Sequence, residues 1–408
     1  MVNTQEFDYD PFGTAVMENP LPFYKELRDN YPVYRLEAYD AWAVSRFQDV
    51  WDVLGNENGN FTTTEGTLLS QDQYRTSNGG VVPVASYDPL TVLANTESPV
   101  HEELRQAVGA PLRPRAVQRL EEFVRGLARE RLDELVPRGR FNLTSEYAGL
   151  VSAGTMCYLL GIPGSEAAVI LDAVNSSSPG RQDRLTDNEN AMRDYGQLVL
   201  EAVQRRKDAG ANGDVPLIDG LINYRLQGRE LQVEEMSFAV LAIILFGGTE
   251  TLPKVVAHGL MELWRRPDQR REVASAPENF RIAFEEMLRY CAPAQWFTRT
   301  VKTPVVIGGQ ELEVGQRIFP LLMAANRDER EFVHPDDFRW DRKIERHLAF
   351  GHGQLLCIGH HVARLEGRIL IEELMNRVPD YEVDLSGAER WPSTFQWGWT
   401  KVPLVVPS

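Results

Sequence analysis

Four groups of residues in this 408-residue chain have types and spacings that could do chemistry. The first is a lone cysteine in a glycine-rich stretch, FGHGQLLCIG from Phe350 to Gly359, which sets Cys357 among Gly351, Gly353 and Gly359. Glycines there let a backbone approach a flat ligand or turn through positive φ. A helical pattern follows at once, and the amides of a helix N-terminus would stabilise a thiolate. Such a thiolate could be an axial iron ligand; a cysteine in such a loop can also be a small buried apolar residue. The second group, Gly247-Gly248-Thr249-Glu250-Thr251, lies inside a long apolar helical pattern. Two mid-helix glycines cost about 1 kcal/mol each relative to alanine, so they need a reason. A threonine there can bond back to a carbonyl and bend the helix, and Pro253 adds to the expected kink. The third and fourth groups are His101 with Arg105, four apart, and Glu286 with Arg289, three apart. Each pair shares one helix face. Taken singly, they also read as solvated charge and a surface ion pair of little worth.

The elements that must position these groups are mostly helical. Residues 33–54 alternate enough for a short hairpin followed by a helix. Residues 61–98, rich in Thr, Ser, Gly and Asn, read as a long irregular loop of the kind that forms lids or binding loops. Apolar spacing of three and four predicts helices over 115–136, 144–160, 189–209, 233–264 and 278–291. Residues 301–321 read as strands, with turns at Gly308-Gly309 and Gly315. A last helix is expected from about Gly359 to Val378, with strands closing the chain. No Gly/Ser linker divides it. At about 150 residues per domain the length alone would allow two or three, but the pattern reads as a single domain over 1–408, mainly α with a smaller β part.

Composition narrows the class. The charge sum of −16 argues against nucleic acid as main partner. Three cysteines, Cys157, Cys291 and Cys357, show no disulfide framework and suit a reducing cytoplasm. The first twenty residues hold no apolar core of a signal peptide. The longest clean apolar run, from Ala239 to Phe246, falls short of the roughly twenty residues of a membrane span. A cytoplasmic protein without a membrane partner is expected.

Taken together, the four groups carry a resemblance. Phe350, Gly353, Cys357 and Gly359 fit F-x-x-G-x-x-x-C-x-G, and the other three groups precede it in a fixed order. In this combination, over nearly the whole chain, the sequence resembles the cytochrome P450 family. The resemblance implies a large helical domain around heme b, iron protoporphyrin IX, with a minor β-sheet region. It implies Cys357 as the iron ligand, in the loop of Phe350, Gly353 and Gly359. His101, Arg105 and Arg299 would contact the heme propionates. Gly247 and Gly248 would leave room for dioxygen, while Glu250 and Thr251 form an acid–alcohol pair that relays protons. Glu286 and Arg289, with Arg342 from FRWDRK, would be a structural anchor. One position departs: two residues before the cysteine the family usually has His or Arg, where this chain has Leu355. His352 or a water is the expected substitute.

The implied activity is that of a heme-thiolate monooxygenase. One oxygen atom of O2 enters a small hydrophobic substrate, by hydroxylation or oxidative demethylation, and electrons arrive singly from a ferredoxin-type partner. Candidates for the pocket are Phe246, Leu252, Trp296, Phe297, Phe395 and Trp397, with Leu68, Leu69, Val81, Val82 and Val84 from the long loop. An apolar, aromatic lining suits a neutral terpenoid, steroid-like or aromatic compound. Arg113, Arg115, Arg346, Arg364 and Arg368 could form a basic patch for an acidic partner. A monomer is expected. Two rival readings are a peroxide-driven peroxygenase and a non-catalytic heme sensor; the Glu250–Thr251 pair argues against the first and Thr251 against the second.

Overall fold

The computed structural model describes residues 7–68, 71–74, 93–177 and 188–407. The loop candidates Leu69, Val81, Val82 and Val84 lie outside the described residues; Leu68 is half-buried against an aromatic cluster.

Six helices position the four groups: α1 (Val100–Gly109), α2 (Glu121–Leu135), α3 (Leu150–Leu160), α4 (Ala242–Trp264), α5 (Pro277–Cys291) and α6 (His360–Arg377). In α2 the buried positions are Val124, Ala128, Leu132 and Leu135, the spacing that puts one stripe on the core. By contrast α4 is buried on nearly every side between Leu252 and Leu263. A helix apolar all round belongs at the centre of a large fold. The segment Glu235–Trp264 is long and apolar enough to cross a membrane, yet 76% of its most apolar window is buried within the protein.

Three expected helices begin differently from the sequence reading. Residues 115–136 break into Pro114–Val117, a tighter turn at Gln118–Leu120, and α2. Wider π-helical turns, Leu143–Gly149 and Glu235–Leu241, lead into α3 and α4. Gly149 allows the first to close, since a Cβ there would meet the Thr144 carbonyl at 2.8 Å. Helix α4 then continues without a break through Gly247, Gly248 and Pro253.

The largest sheet has the strand order Val33–Leu36, Ala41–Val44, Arg317–Pro320, Arg299–Val301, Phe61–Thr62. Ala41–Val44 and Arg317–Pro320 run parallel; the other pairs are antiparallel. This sheet carries Arg299 and, just before it, Trp296 and Phe297. Gly308 and Gly309 turn at φ 55 and 84, joining Val305–Ile307 to Gln310–Leu312.

Candidate active site

The cysteine loop is held by its own backbone. The Cys357 N–H donates to the Phe350 carbonyl at 2.9 Å, and the Leu356 N–H to Gly353 at 3.0 Å. Gly353 has φ +72, and a Cβ on it would come within 2.6 Å of the Leu54 carbonyl. Only glycine fits there. Gly359 differs: a Cβ on it would meet no protein atom within 4 Å. Cys157 and Cys291 are buried, whereas the Cys357 side chain is exposed. Desolvation nonetheless raises the Cys357 thiol, against the Gly359 N–H and the positive charges of Arg105 and Arg364, which favour the thiolate.

A half-buried and a buried arginine lack an acid to match them among the described residues. Burial lowers Arg105, on α1, and the nearby Cys357 sulfur opposes that effect. Among the described residues Arg105 has no hydrogen-bond or ion-pair partner. Arg299 is 5% exposed, donates only to the Phe297 and Thr298 carbonyls, and is pulled down to about 10 by burial. Leaving a guanidinium desolvated and unpaired is costly. His101 is fully engaged: Nδ1 lies 3.1 Å from the Leu93 carbonyl and Nε2 3.3 Å from that of Gln354, in the cysteine loop. The structure thus brings α1 and the cysteine loop together. His352 stacks on Trp51, with ring centroids 3.5 Å apart.

On α4, the Thr251 hydroxyl donates to the Gly247 carbonyl at 2.9 Å, the back-bond that the sequence suggested. Gly247 is exposed, and a Cβ on it would meet nothing within 4 Å. Gly248 has another reason to be glycine: a Cβ there would strike Met156 Sδ at 2.3 Å. Glu250 is 1% exposed and turned into the protein, where Gln396 donates to its Oε2 at 2.6 Å and Lys254 Nζ stands 3.5 Å from Oε1. The acid and the alcohol therefore do not touch.

Glu286 and Arg289 form a buried two-point pair on α5, Nε–Oε2 2.7 Å and Nη2–Oε1 2.8 Å. Arg342 Nε adds 3.1 and 3.2 Å contacts to the same carboxylate. Both guanidiniums also donate to carbonyls of residues 326–337, including Asn326, Pro335 and His334.

Comparison with known proteins agrees with this geometry. The family model described as Cytochrome P450 matches residues 281–404. The chain is 30% identical over 413 residues to the protein named cytochrome P450 123 of Mycobacterium tuberculosis, covering 99% of this chain and 98% of the relative. The chain belongs to the cytochrome P450 family. Cytochrome P450 CYP109Q5 from Chondromyces apiculatus has the same fold, with TM-score 0.81 at 26% identity over 98% of both chains. The Bacillus subtilis 168 bacillaene polyketide synthase cytochrome P450 PksS superposes with TM-score 0.83 at 22% identity, covering 98% of this chain and 100% of that one.

Cytochromes P450 are monooxygenases that use heme b and take O2 as co-substrate. The residues present fit that group: an open cysteine sulfur, an Arg105 near it and a buried Arg299 that both lack a carboxylate partner among the described residues, and a Gly359 whose missing side chain no protein atom requires.

For a P450 substrate wall, the structure divides the candidates. Trp296 is 1% exposed and boxed in by Phe12, Phe319 and Phe395. Leu252 belongs to the main core, and Trp397 packs on His258. All three side chains are buried in the protein, and so is that of Phe395, 3% exposed. Phe246 and Phe297 keep open surface, and Phe395 meets Phe297 edge-on at 5.1 Å. The five-arginine patch also changes. Arg346 pairs with Glu331, Arg364 with Glu285, and Arg368 with Glu121 and Glu372. Arg113 and Arg115 are exposed and without an ionic partner among the described residues. Sequence reasoning missed Lys254 and Gln396. The four-residue step from Glu250 to Lys254 was there to be read; nothing in the sequence signals Gln396.

Proposed function

We propose that Cys357 is the axial iron ligand of a monooxygenase acting on a small, neutral, hydrophobic compound with electrons from a ferredoxin-type protein. When bound, the heme supplies the iron at which O2 is activated, so that one oxygen atom enters a substrate C–H bond and the other leaves as water. Cys357 contributes a thiolate, whose electron density favours O–O cleavage. Arg105 and Arg299 offer charge-assisted hydrogen bonds to the heme carboxylates, and His101 fixes the loop that presents the sulfur. The Leu355 departure leaves these cations to do what a family His or Arg would do. Thr251, its own O–H donated to the Gly247 carbonyl, can accept a hydrogen bond with its oxygen while Gly247 keeps the backbone bare. Glu250 is the acid that gives up the proton, and a relay must carry it, because the carboxyl does not touch Thr251. The Phe297–Phe395 pair, and separately Phe246 on α4, are the aromatic candidates for contact with a terpenoid, steroid-like or aromatic scaffold. The same reading takes residues 1–408 as one domain working as a cytoplasmic monomer.

The observation that carries this reading is the open Cys357 sulfur in a loop that only glycine can close, with the charge of an Arg105 nearby that has no hydrogen-bond or ion-pair partner among the described residues. The test is spectroscopic. Reduced protein under carbon monoxide should show the red-shifted absorption of thiolate-ligated heme, and Cys357→His should abolish it. Neutral terpenoids and steroids should then shift the resting heme band by displacing a water ligand. Turnover should need an NADH-fed electron chain. Thiolate ligation with no oxidation of any shifting compound would favour a sensor, and turnover with peroxide alone a peroxygenase.

A further inference from the structure

Adjacent helical residues point roughly 100° apart, so Thr251 and Glu250 of α4 face different surroundings. Two elements hold the Glu250 carboxylate. Lys254, 1% exposed, approaches Oε1 and donates to the Glu250 carbonyl at 3.0 Å. Gln396, fully buried, donates to Oε2. Oε1 has no hydrogen bond among the described residues and is closed off from water. Among those residues the carboxylate therefore has Gln396 as its side-chain hydrogen-bond donor and Lys254 as its counter-charge.

The Gln396 amide is placed by a rigid turn. Ser393 Oγ accepts from the backbone N–H groups of Phe395 and Gln396, both at 3.1 Å. The Gln295 N–H donates to the Phe395 carbonyl at 2.9 Å, and the Trp397 N–H to Pro293 at 2.8 Å. One residue of this turn, Phe395, meets Phe297 on the candidate substrate wall. The next holds the acid. Without the Gln396 donor, the carboxylate is free to rotate onto Lys254 as a closer ion pair.

We propose that Gln396 is a positioning residue for oxygen insertion: it pins one oxygen of Glu250 and so keeps the carboxylate from closing onto Lys254, where it could no longer act as an acid. This rests on the reading of Glu250 as the proton-delivering acid. Gln396→Met keeps the side-chain length and removes the donor; Gln396→Leu removes it with another shape and serves if the first does not fold. Either variant should divert reducing equivalents from product to peroxide several-fold, with substrate affinity unchanged. In a Glu250→Gln background the same substitution should add nothing, because its effect passes through that carboxylate. A readout independent of turnover is the side-chain amide signal of Gln396 in protein labelled with ¹⁵N-glutamine. Assigned by its loss in Gln396→Met, it should shift in Glu250→Gln. An unchanged product-to-peroxide ratio in both Gln396 variants, or an equal extra loss in the Glu250→Gln background, overturns the proposal. So does a fall in substrate affinity as large as the diversion, which would make the turn a substrate wall only. If Glu250→Gln itself diverts nothing, the acid reading fails and this one with it; if Glu250→Gln diverts and the Gln396 variants do not, only this inference fails.

Discussion

The buried carboxyl of Glu366, on α6, shows how one residue can set the response of the protein to pH. It is 2% exposed, takes a short hydrogen bond from Ser152 Oγ on α3, and is pushed up by burial from 4.5 to about 7. The Ser152 and Thr155 hydroxyls pull the other way and do not win. Between these two values the native chain keeps a proton that the unfolded chain has lost. Stability therefore falls as pH rises through that window. The contribution of Glu366 is fully present below its unfolded value and gone above about 7. Glu366→Gln keeps the shape and cannot ionise. Its stability relative to the natural chain should rise on the order of 3 kcal/mol between pH ~4.5 and pH ~7. Urea unfolding of both proteins at the two ends of the window measures this. Parallel pH dependences would mean that the carboxyl ionises in place without penalty.

At the scale of elements, the cysteine loop separates two reasons for glycine. Gly353 is demanded by the chain: its φ is positive and its missing Cβ faces the Leu54 carbonyl at 2.6 Å. Gly359 is not demanded by any protein atom. Gly353→Ala should destabilise the heme-free protein by about 1–2 kcal/mol or more, from the left-handed backbone and the backbone clash together. Gly359→Ala should leave heme-free stability unchanged and lower heme retention. Thermal melting before and after heme loading distinguishes the two, and equal losses in the heme-free state would remove the distinction. The same contrast explains what was legible in the sequence. The cysteine loop and the Glu286–Arg289 pair depend on spacings of ten residues or fewer along one chain segment, so their pattern survives in the sequence. Arg342 joins them from a loop 56 residues away, found through the resemblance. Gln396 reaches Glu250 across 146 residues, and glutamine has no characteristic role that would single it out. Gly248 read as space for a ligand because the sequence does not show Met156 beside it. Trp296 read as a wall of the pocket because its burial depends on Phe12 and Phe319, far apart in the chain.

For the whole molecule, the decisive quantity is where unpaired positive charge remains on a chain of net charge −16. Such a chain repels an acidic electron donor at long range, so attraction must come from a local patch. Pairing with acids largely neutralises Arg346, Arg364 and Arg368. Arg113 and Arg115 remain, the first just before and the second within Pro114–Val117, which packs on α6, the helix that starts beside Cys357. A donor that docks there approaches the cysteine loop from the outer side of that helix. Reversing both charges, Arg113→Glu with Arg115→Glu, should slow reduction by an acidic ferredoxin about tenfold at low salt. The loss should shrink as ionic strength rises, because exposed charges are screened within about 10 Å at 0.1 M. Substrate affinity and the carbon monoxide signature should stay as they were, since neither arginine enters the site. Arg368→Gln, which removes a charge already matched by Glu121 and Glu372, is the control and should leave the rate close to that of the natural chain. Stopped-flow reduction at two salt concentrations separates the outcomes. A rate that falls equally for Arg368→Gln, or that does not converge at high salt, would place the electron donor elsewhere on the surface.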